Sequence, residues 1–360
     1  MRAEAMIEPG RVIGILGGGQ LGRMAALAAA TLGYRCHIFS PERECPAKLV
    51  TPFATTAAYS DRDALIAFAK AVDIITFEFE NVPVEAVELL ASIKPMRPGP
   101  RILGICQDRL AEKDFLRAID VATAPYRDVA NEEGLKRAVR DIGPRSVLKT
   151  VRLGYDGKGQ VMLNQESDLA AAWRQLNTTN AILEAHIDFA SELSVIVARG
   201  ANGAWAIYPA VENHHVNHIL DTTIAPARVS SGVAMRAEAT ARHIAEKLEV
   251  VGLLAVEMFV TASGDILVNE LAPRPHNSGH WTIDACYTSQ FEQLVRAICG
   301  LPLGSGERHS DAVMKNLIGG DIEKWHDALM EPAAKLHLYG KESVVPGRKM
   351  GHVTRLSPKR

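Results

Sequence analysis

Two glutamates, Glu257 and Glu270, have the spacing that points most directly to chemistry. They lie in LLAVEMFVTASGDILVNEL, which predicts two strands joined by a turn at residues 262–265. In an antiparallel hairpin this spacing places the carboxylates within about one residue of opposite each other. Such a pair is tolerable if one carboxyl is protonated or if Mg²⁺ lies between them. Because an unpaired charge in an apolar strand is costly, we favour a magnesium site.

A glycine-rich segment upstream has the composition of a phosphate site. VLKTVRLGYDGKGQ places Lys149 in a strand and then glycines at positions 154, 157 and 159. Backbone N–H groups of such a loop, together with a strand lysine, can hold a polyphosphate. The alternative is a surface hairpin. We favour the phosphate site because three glycines in six residues lose much conformational entropy on ordering.

The first glycine loop in chain order lies in VIGILGGGQLGRM and matches G-x-G-x-x-G at Gly17, Gly19 and Gly22; residues 154–160 are the second glycine loop. This motif is typical of dinucleotide sites, but the following strand, CHIFSPE, ends in Ser40 without the acidic residue that a ribose needs. The glycines therefore indicate either an anion site or close helix-to-strand packing. At the same sheet edge FEFENVP should bring Glu78, with Glu80 and Asn81, towards Gln20, unless these residues are merely solvated.

Two later segments are rich in hydrogen-bond donors. PRPHNSGH contains Arg274, His276, Asn277, Ser278 and His280, and GKESVVPGRKMGH contains Lys341, Arg348 and Lys349. Basic residues near a turn are usually a solvated face, but these could also bind a substrate phosphate. The histidines of HHVNH (214, 215 and 218) lack a completing ligand set, so we expect one of them near a nucleotide rather than a transition metal.

The composition excludes several classes of protein. In 360 residues, 40 basic and 42 acidic side chains give a net charge of -2, so no overall field favours nucleic acid or an anionic membrane. The five cysteines are scattered and predicted to be unpaired. Without a secretory leader or an uninterrupted apolar span, the sequence predicts a soluble, cytoplasmic protein.

The hydrophobic patterning predicts three segments. Strands and helices alternate over residues 12–90, which predicts a parallel sheet with crossover helices. KPMRPGP is a boundary, followed by a helix over residues 102–119 and by short, mostly antiparallel strands over residues 147–272. Helices are expected at 167–175, 234–248 and 289–300, with two strand-like runs beyond them. We place the domains at residues 1–100, 101–304 and 305–360.

Five blocks in order, GGGQLGRM, FEFENV, GYDGKGQ, VNELAPRPHNSGHWT and GRKMGHV, resemble the N5-carboxyaminoimidazole ribonucleotide synthetase family of the ATP-grasp superfamily. The resemblance covers residues 12–354. It implies an α/β and α+β protein with an ATP-grasp fold: an N-terminal Rossmann-like parallel-sheet domain, a two-lobed ATP-grasp domain and a small C-terminal β-rich domain. It also implies ATP- and bicarbonate-dependent carboxylation of 5-aminoimidazole ribonucleotide through carboxyphosphate.

The resemblance assigns roles residue by residue. Mg²⁺ would be bound by Glu257 and Glu270. ATP would be bound by Arg109, Lys149, Gly154, Tyr155, Asp156, Gly157, Lys158, Gly159, Gln160, Glu184, Ala185, His186, Ile187, Glu192, His215, Asn269 and Glu270. Tyr155, Asp156, Lys158 and Arg274 would act on bicarbonate and the intermediate. The ribonucleotide would contact Gly18, Gln20, Leu21, Glu78, Arg274, His276, Asn277, Ser278, Lys341 and Arg348.

The resemblance further implies a homodimer and a downstream mutase on a separate chain, with no nucleic-acid or membrane partner. One alternative is another ATP-grasp ligase or carboxylase, such as a formate-dependent glycinamide ribonucleotide transformylase. A non-catalytic nucleotide sensor or structural subunit would be expected to lack Lys149, Glu257 or Glu270, which are all present. A nicotinamide dehydrogenase is disfavoured by the second strand.

Overall fold

The computed structural model describes residues 6–154 and 157–360, so Tyr155 and Asp156 lie outside the described residues. Residues 12–91 form a four-stranded parallel sheet in the order β3-β2-β1-β4, as the alternating pattern predicts. The elements are β1 (Val12–Leu16), α1 (Gln20–Thr31), β2 (Arg35–Ser40), β3 (Phe53–Thr56), α2 (Arg62–Lys70), β4 (Ile74–Phe77) and α3 (Val84–Ala91). β3 was not predicted, because this four-residue edge strand has mostly exposed side chains and therefore no apolar run.

Residues 100–185 form a helical entry and a small antiparallel sheet in the order β5-β8-β6-β7. The elements are α4 (Pro100–Cys106), α5 (Arg109–Ala118), β5 (Tyr126–Val129), α6 (Glu132–Ile142), β6 (Ser146–Thr150), β7 (Gln160–Leu163), α7 (Leu169–Leu176) and β8 (Ala181–Ala185). The single helix predicted over residues 102–119 is two helices. Asp108 separates them, because its side chain caps the backbone N–H groups of Leu110 and Ala111.

The rest of the chain builds one nine-stranded sheet with two layers of helices. Its elements are β9 (Phe189–Arg199), β10 (Trp205–Ile207), β11 (Val211–Val216), β12 (Ile219–Ala225), α8 (Ser231–Lys247), β13 (Gly252–Thr261), β14 (Ile266–Ala272), α9 (Thr282–Ala285), α10 (Gln290–Cys299), β15 (Ser310–Ile318), α11 (Trp325–Met330), β16 (Ala334–Leu338) and β17 (Lys349–Pro358). The order is β14-β13-β9-β11-β12-β15-β17-β16, with β10 paired to β9. The C-terminal strands therefore continue the central sheet through the β12–β15 pairing.

Apolar packing joins the N-terminal parallel sheet to the nine-stranded sheet and α10. One apolar cluster contains residues of the N-terminal sheet, such as Ile13 and Ile38, and residues of the large sheet and α10, such as Ile196 and Phe291. The small sheet has its own cluster around Leu148 and Leu183. The five cysteines are unpaired, as predicted. In the described part of the chain, every helix is too short or too polar to cross a bilayer.

Candidate active site

The large sheet carries a cleft of about 540 Å³, a volume suited to a small-molecule ligand. It is lined by the start of β9 and by β11 with its following turn: Phe189, Ala190, Ser191, Glu192, Glu212, Asn213, His214, His215, Asn217 and His218. A smaller adjoining cavity shares Glu192, Asn213 and His215 and extends to Glu257 and Asn269. Of the predicted nucleotide residues of the large sheet, Glu192, His215 and Asn269 thus line these two adjoining cavities.

The two predicted metal ligands face each other. Glu257 on β13 is the direct register partner of Glu270 on β14, as the hairpin reading predicts. Burial, reinforced by the charge of Glu270, raises the pKa of Glu257 to about 8. His276 Nε2 lies 3.2 Å from Glu257 Oε1, and burial keeps the pKa of this imidazole well below its ordinary value. Two opposed carboxylates supply the oxygen ligands that Mg²⁺ prefers.

A buried ion cluster connects the small sheet to this region. Lys149 on β6 donates to Glu184 Oε2 on β8 at 2.9 Å, and Lys113 Nζ lies 3.9 Å from the same oxygen. Burial opposes ionisation of Glu184, but the two ammonium groups outweigh it and lower the pKa to about 2. Glu184 Oε1 has no hydrogen-bond partner within the described residues. This oxygen is an acceptor open to a ligand.

Other predicted nucleotide residues meet around the same cluster. Arg109 Nη1 lies 3.4 Å from Glu270 Oε2, and His215 Nδ1 pairs with Glu192, which raises the pKa of His215 against the opposing effect of burial. Residues 185–187 form the half-buried connection from β8 to β9. The structure therefore gathers Arg109, Lys149, Glu184, Glu192, His215, Asn269 and Glu270. Nucleotide contacts for these residues stay predictions.

The second glycine loop bends back onto the site. Thr150 N donates to Gly159 O at 2.8 Å, which closes the loop at its base. Gly157 has a φ of +77° and a side chain there would meet His218 Cβ at 2.6 Å. Gly154 lies beside the Arg109 guanidinium, 3.5 Å from where its Cβ would be. Lys158 is exposed and Gln160 begins β7, whereas Tyr155 and Asp156 lie outside the described ranges.

The first glycine loop already holds an anion from the protein itself. Gly19 N donates to Glu78 Oε1 at 2.6 Å, and Gly22 N lies 3.3 Å from Glu78 Oε2. Burial raises the pKa of Glu78, while these backbone donors and Arg274 favour its ionised form. Because this carboxylate occupies the helix N-terminus where a dinucleotide phosphate would bind, the loop does not offer a free pyrophosphate site. Of its predicted substrate residues, Gln20 is half-buried and Gly18 and Leu21 are buried.

Cationic groups collect beyond Glu78. Arg274 Nε lies 3.2 Å from Glu80 Oε1 of the N-terminal unit. Burial, together with the charges of Arg348 and Lys349, lowers the pKa of Lys341 to about 8. Positive charges that repel one another in this way are relieved by a bound anion.

Asn277 and Ser278, in the segment that follows Arg274, differ in the hydrogen bonding of their side chains. Both side-chain polar atoms of Asn277 are buried without a hydrogen-bond partner in the described structure. Ser278 is different: its hydroxyl bonds to Ser194 at 2.6 Å and lies 2.8 Å from His276 Nδ1. Its predicted substrate contact stays a prediction, and its observed role is to support the imidazole of His276.

The structure also places here Lys349, which the sequence predicted only as a candidate phosphate ligand, and Glu112 and Lys113, for which no role was predicted. Lys349 lies close enough to shift the pKa values of Glu257, His276 and Lys341. Glu112 and Lys113 are almost fully buried next to β14. A signal for these two existed: in DRLAEKDF they fall three and four residues after Arg109, so all three share one face of a capped helix.

Comparison with known proteins agrees with this architecture. A ribonucleotide synthetase preATP-grasp domain model matches residues 11–107, an ATP-grasp domain model matches residues 114–291, and a phosphoribosylaminoimidazole carboxylase C-terminal domain model matches residues 312–360. The N5-carboxyaminoimidazole ribonucleotide synthase of Brucella melitensis is 50% identical over 99% of both chains. The chain belongs to the N5-carboxyaminoimidazole ribonucleotide synthase family. The predicted family and ATP-grasp fold are thereby confirmed.

Other relatives support membership of this synthase family. The Bacillus subtilis synthase is 44% identical, over 98% of this chain and 93% of that protein. The bifunctional purine synthesis protein purC/E of Dictyostelium discoideum is 47% identical over 97% of this chain, which spans 37% of that longer protein. Members of this synthase family are ATP-dependent ligases of purine biosynthesis, which confirms the predicted enzyme class.

Solved synthase structures superpose over almost the whole chain. An ADP complex of a synthetase of this family has a TM-score of 0.95 at 44% identity, covering 98% of this chain and 94% of that one. The synthase of Aspergillus clavatus in complex with ADP and 5-aminoimidazole ribonucleotide has a TM-score of 0.91 at 32% identity, covering 97% and 94%. Both of these synthases share the architecture of this chain and were solved with ADP bound.

Proposed function

We propose that this synthase carboxylates the amine of 5-aminoimidazole ribonucleotide, consuming ATP and bicarbonate and releasing ADP and phosphate. The observation that carries the proposal is the segment 274–276, which touches both halves of the site. His276 contacts Glu257 of the opposed carboxylate pair, and two residues earlier Arg274 pairs with Glu80 of the N-terminal sheet. A nucleotide at the carboxylates and a ribonucleotide at the N-terminal sheet would thus lie on either side of one short segment.

On the nucleotide side the chain supplies positive charge and oxygen ligands. Glu257 and Glu270 would hold Mg²⁺, which neutralises phosphate charge when bound. Arg109 and Lys149 add two cations beside the Gly154–Gln160 loop, with Ala185, His186 and Ile187 bordering the base. Transfer of the terminal phosphoryl group to a bicarbonate oxygen needs this neutralisation and alignment more than a covalent protein group. The product of that step is carboxyphosphate.

On the other side, the cationic cluster fits a phosphate monoester. Lys341, Arg348 and Arg274 would bind the ribonucleotide phosphate, and Glu78 and Asn277 its hydroxyl or amine groups. The amine attacks the carboxyl carbon of carboxyphosphate, the bond from that carbon to the phosphate oxygen breaks, and the amine proton is released to a base. Because carboxyphosphate hydrolyses readily, the loop carrying Tyr155, Asp156 and Lys158 has to exclude water and orient the intermediate.

The assembly and setting of the enzyme are also proposals. We propose a homodimer in the cytoplasm that passes its product to a mutase on another chain. The family resemblance supports the dimer, the location and a mutase on a separate chain. The Dictyostelium relative, whose name describes a bifunctional purine synthesis protein, shows that the synthase region also occurs within longer chains.

The test is to follow ADP, phosphate and carboxylated product with MgATP and bicarbonate, with and without 5-aminoimidazole ribonucleotide. We expect the ribonucleotide to stimulate phosphate release, and Glu270→Gln to lower turnover about 100-fold or more, since it removes charge at the transferring phosphoryl group. Glu246→Gln is the matched control, because Glu246 forms only an exposed pair with Arg242. Turnover with formate and glycinamide ribonucleotide instead would replace the substrate assignment.

A further inference from the structure

The backbone around Glu270 is irregular in a way that matters for the site. Glu257 pairs with Glu270, but Met258 pairs with Val268, so Asn269 is an extra residue in β14. Val268 and Leu271 are buried in the same apolar cluster, whereas Asn269 and Glu270 are both half-buried. In a regular strand neighbours point to opposite faces. This β-bulge therefore lets two consecutive polar residues face the nucleotide region together.

A bulge leaves backbone groups unpaired, and α5 supplies their partners. Lys113 Nζ donates to Asn269 O at 2.8 Å and lies 3.3 Å from Val268 O. Glu112 Oε2 accepts from Leu271 N at 2.8 Å. β14 is the edge strand of its sheet. On its outer side Val268 forms an isolated bridge to Thr123, and the side chains of α5 bind the carbonyl of Asn269 and the N–H of Leu271. The two side chains hold the backbone immediately before and immediately after Glu270.

Lys113 also reaches the smaller sheet. Its ammonium lies 3.9 Å from Glu184 Oε2, the oxygen that Lys149 binds. Lys113 is 1% exposed and Glu112 is 2% exposed, so neither can contact a ligand as an open surface group. A buried lysine and glutamate are costly to desolvate unless they are fully engaged. Their burial beside the two nucleotide-facing elements, with contacts to Val268 O, Asn269 O and Leu271 N, indicates that they hold β14 in place.

We infer that Lys113 and Glu112 are positioning residues: they fix the Asn269–Glu270 bulge, and Lys113 couples it to Glu184, so that both sheets present their groups to one nucleotide. This inference rests on the proposed nucleotide site, but not on the identity of the carboxylated substrate. Removing the lysine donors would release the bulge and shift Glu270 and Asn269 with respect to Glu184. Nucleotide and Mg²⁺ binding should then weaken together, while ribonucleotide binding should not.

The decisive measurement is calorimetric binding of ADP to the full chain at a series of Mg²⁺ concentrations. For Lys113→Met we expect ADP affinity to fall and the Mg²⁺ requirement to rise, each by about 10- to 100-fold, as for other residues that orient metal ligands. The KM for 5-aminoimidazole ribonucleotide should stay within about threefold. Lys136→Met is the control, since Lys136 is an exposed lysine paired with Glu132 and Glu133 on α6.

Glu112 provides an independent pair of variants. Glu112→Gln keeps an oxygen that can accept from Leu271 N and should bind MgADP within about threefold of wild type, whereas Glu112→Met should resemble Lys113→Met. If Lys113→Met does not fold, this pair decides. Wild-type Mg²⁺ dependence in Lys113→Met, or equal binding by the two Glu112 variants, overturns the inference. Failure to carboxylate the ribonucleotide while MgADP still binds would overturn the substrate assignment alone.

Discussion

The two glycine-rich turns of this synthase are alike in glycine content and differ in their surroundings. In the first, residues 17–22, the helix N-terminus is filled by the carboxylate of Glu78, with Gly19 N only 2.6 Å from its oxygen. In the second, the described residues Gly154 and 157–160 lie half-exposed or exposed between Thr150, Arg109 and His218. A glycine motif specifies that an anion can approach the backbone. Only the surrounding fold determines whether that anion belongs to the protein or to a ligand.

The two turns should also differ in how they respond to amino-acid substitution. The first turn is packed on all sides: a Cβ on Gly18 would lie 2.2 Å from Cys45 Sγ, and one on Gly17 would lie 2.6 Å from Glu78 Oε1. In the described part of the second turn, Gly154 lies beside Thr150 and Arg109, Gly157 lies beside His218, and the residues are half-exposed or exposed. Damage to the first should therefore appear as lost stability, and damage to the second as lost turnover.

The largest effect is expected for Gly17→Ala. Gly17 has a φ of +102° and no space for a methyl group, so strain and overpacking should lower the free energy of unfolding by about 3 kcal/mol. Gly10→Ala separates the two causes, because Gly10 has a φ of +90° with no atom within 4 Å and should show backbone strain alone. Urea denaturation measures both. Equal losses in the two variants would show that the Glu78 contact is not tight.

A smaller effect, on turnover, is expected for Gly157→Ala. The new methyl group would collide with His218 when the loop lies against it, so product formation should fall about 10- to 100-fold through misplacement of the loop. More phosphate should be released per product formed, because water reaches the intermediate. Gly203→Ala, at a φ of +81° in an open turn, controls for backbone strain. Unchanged coupling between phosphate and product would contradict a closing role for this loop.

Local sequence patterns correctly predicted the parts of the fold that are formed by residues close together in the sequence. The parallel N-terminal sheet and the Glu257–Glu270 hairpin follow from apolar periodicity and turn residues, and the structure confirms both. The C-terminal strands were harder, because their pairing with β12 depends on contacts about 90 residues apart, such as Lys315 with Thr222. No local pattern reports such a partner. The split of the 102–119 helix depended on one cap, Asp108, which the sequence did contain.

The candidate site likewise has features that the local sequence predicted and features that depend on tertiary structure. Residue types predicted a carboxylate pair and a lysine beside a glycine loop, and the structure brings Glu257, Glu270 and Lys149 into one region. The sequence predicted that Glu78 lies near Gln20, but it could not show that the Glu78 carboxylate accepts from Gly19 N, 59 positions away, and so fills the first turn. Nor could it show the bulge at Asn269, which depends on the register of β13 against β14. Both are tertiary features that a linear pattern does not record.

The smallest expected effect is on the pH dependence of ribonucleotide binding, in which Glu78 acts through its charge on Lys341. Lys341 has a pKa of about 8, lowered by burial and by Arg348 and Lys349, and partly restored by the negative charge of Glu78. Below pH 8 the ammonium is charged and can bind a phosphate. Above that pH it is neutral, so ribonucleotide binding should weaken, by up to about tenfold for each pH unit if this group dominates.

Glu78→Gln tests the same coupling. The glutamine keeps an oxygen for Gly19 N, so the first turn should remain folded at a cost of about 1 kcal/mol for the lost charge-assisted bond. Removing the charge takes away a stabiliser of the Lys341 ammonium, so the pH at which KM for the ribonucleotide rises should move below that of wild type. Glu44→Gln, an exposed change, should leave the profile in place. A profile that does not move would separate the internal anion of the first turn from substrate binding and leave Glu78 with a structural role alone.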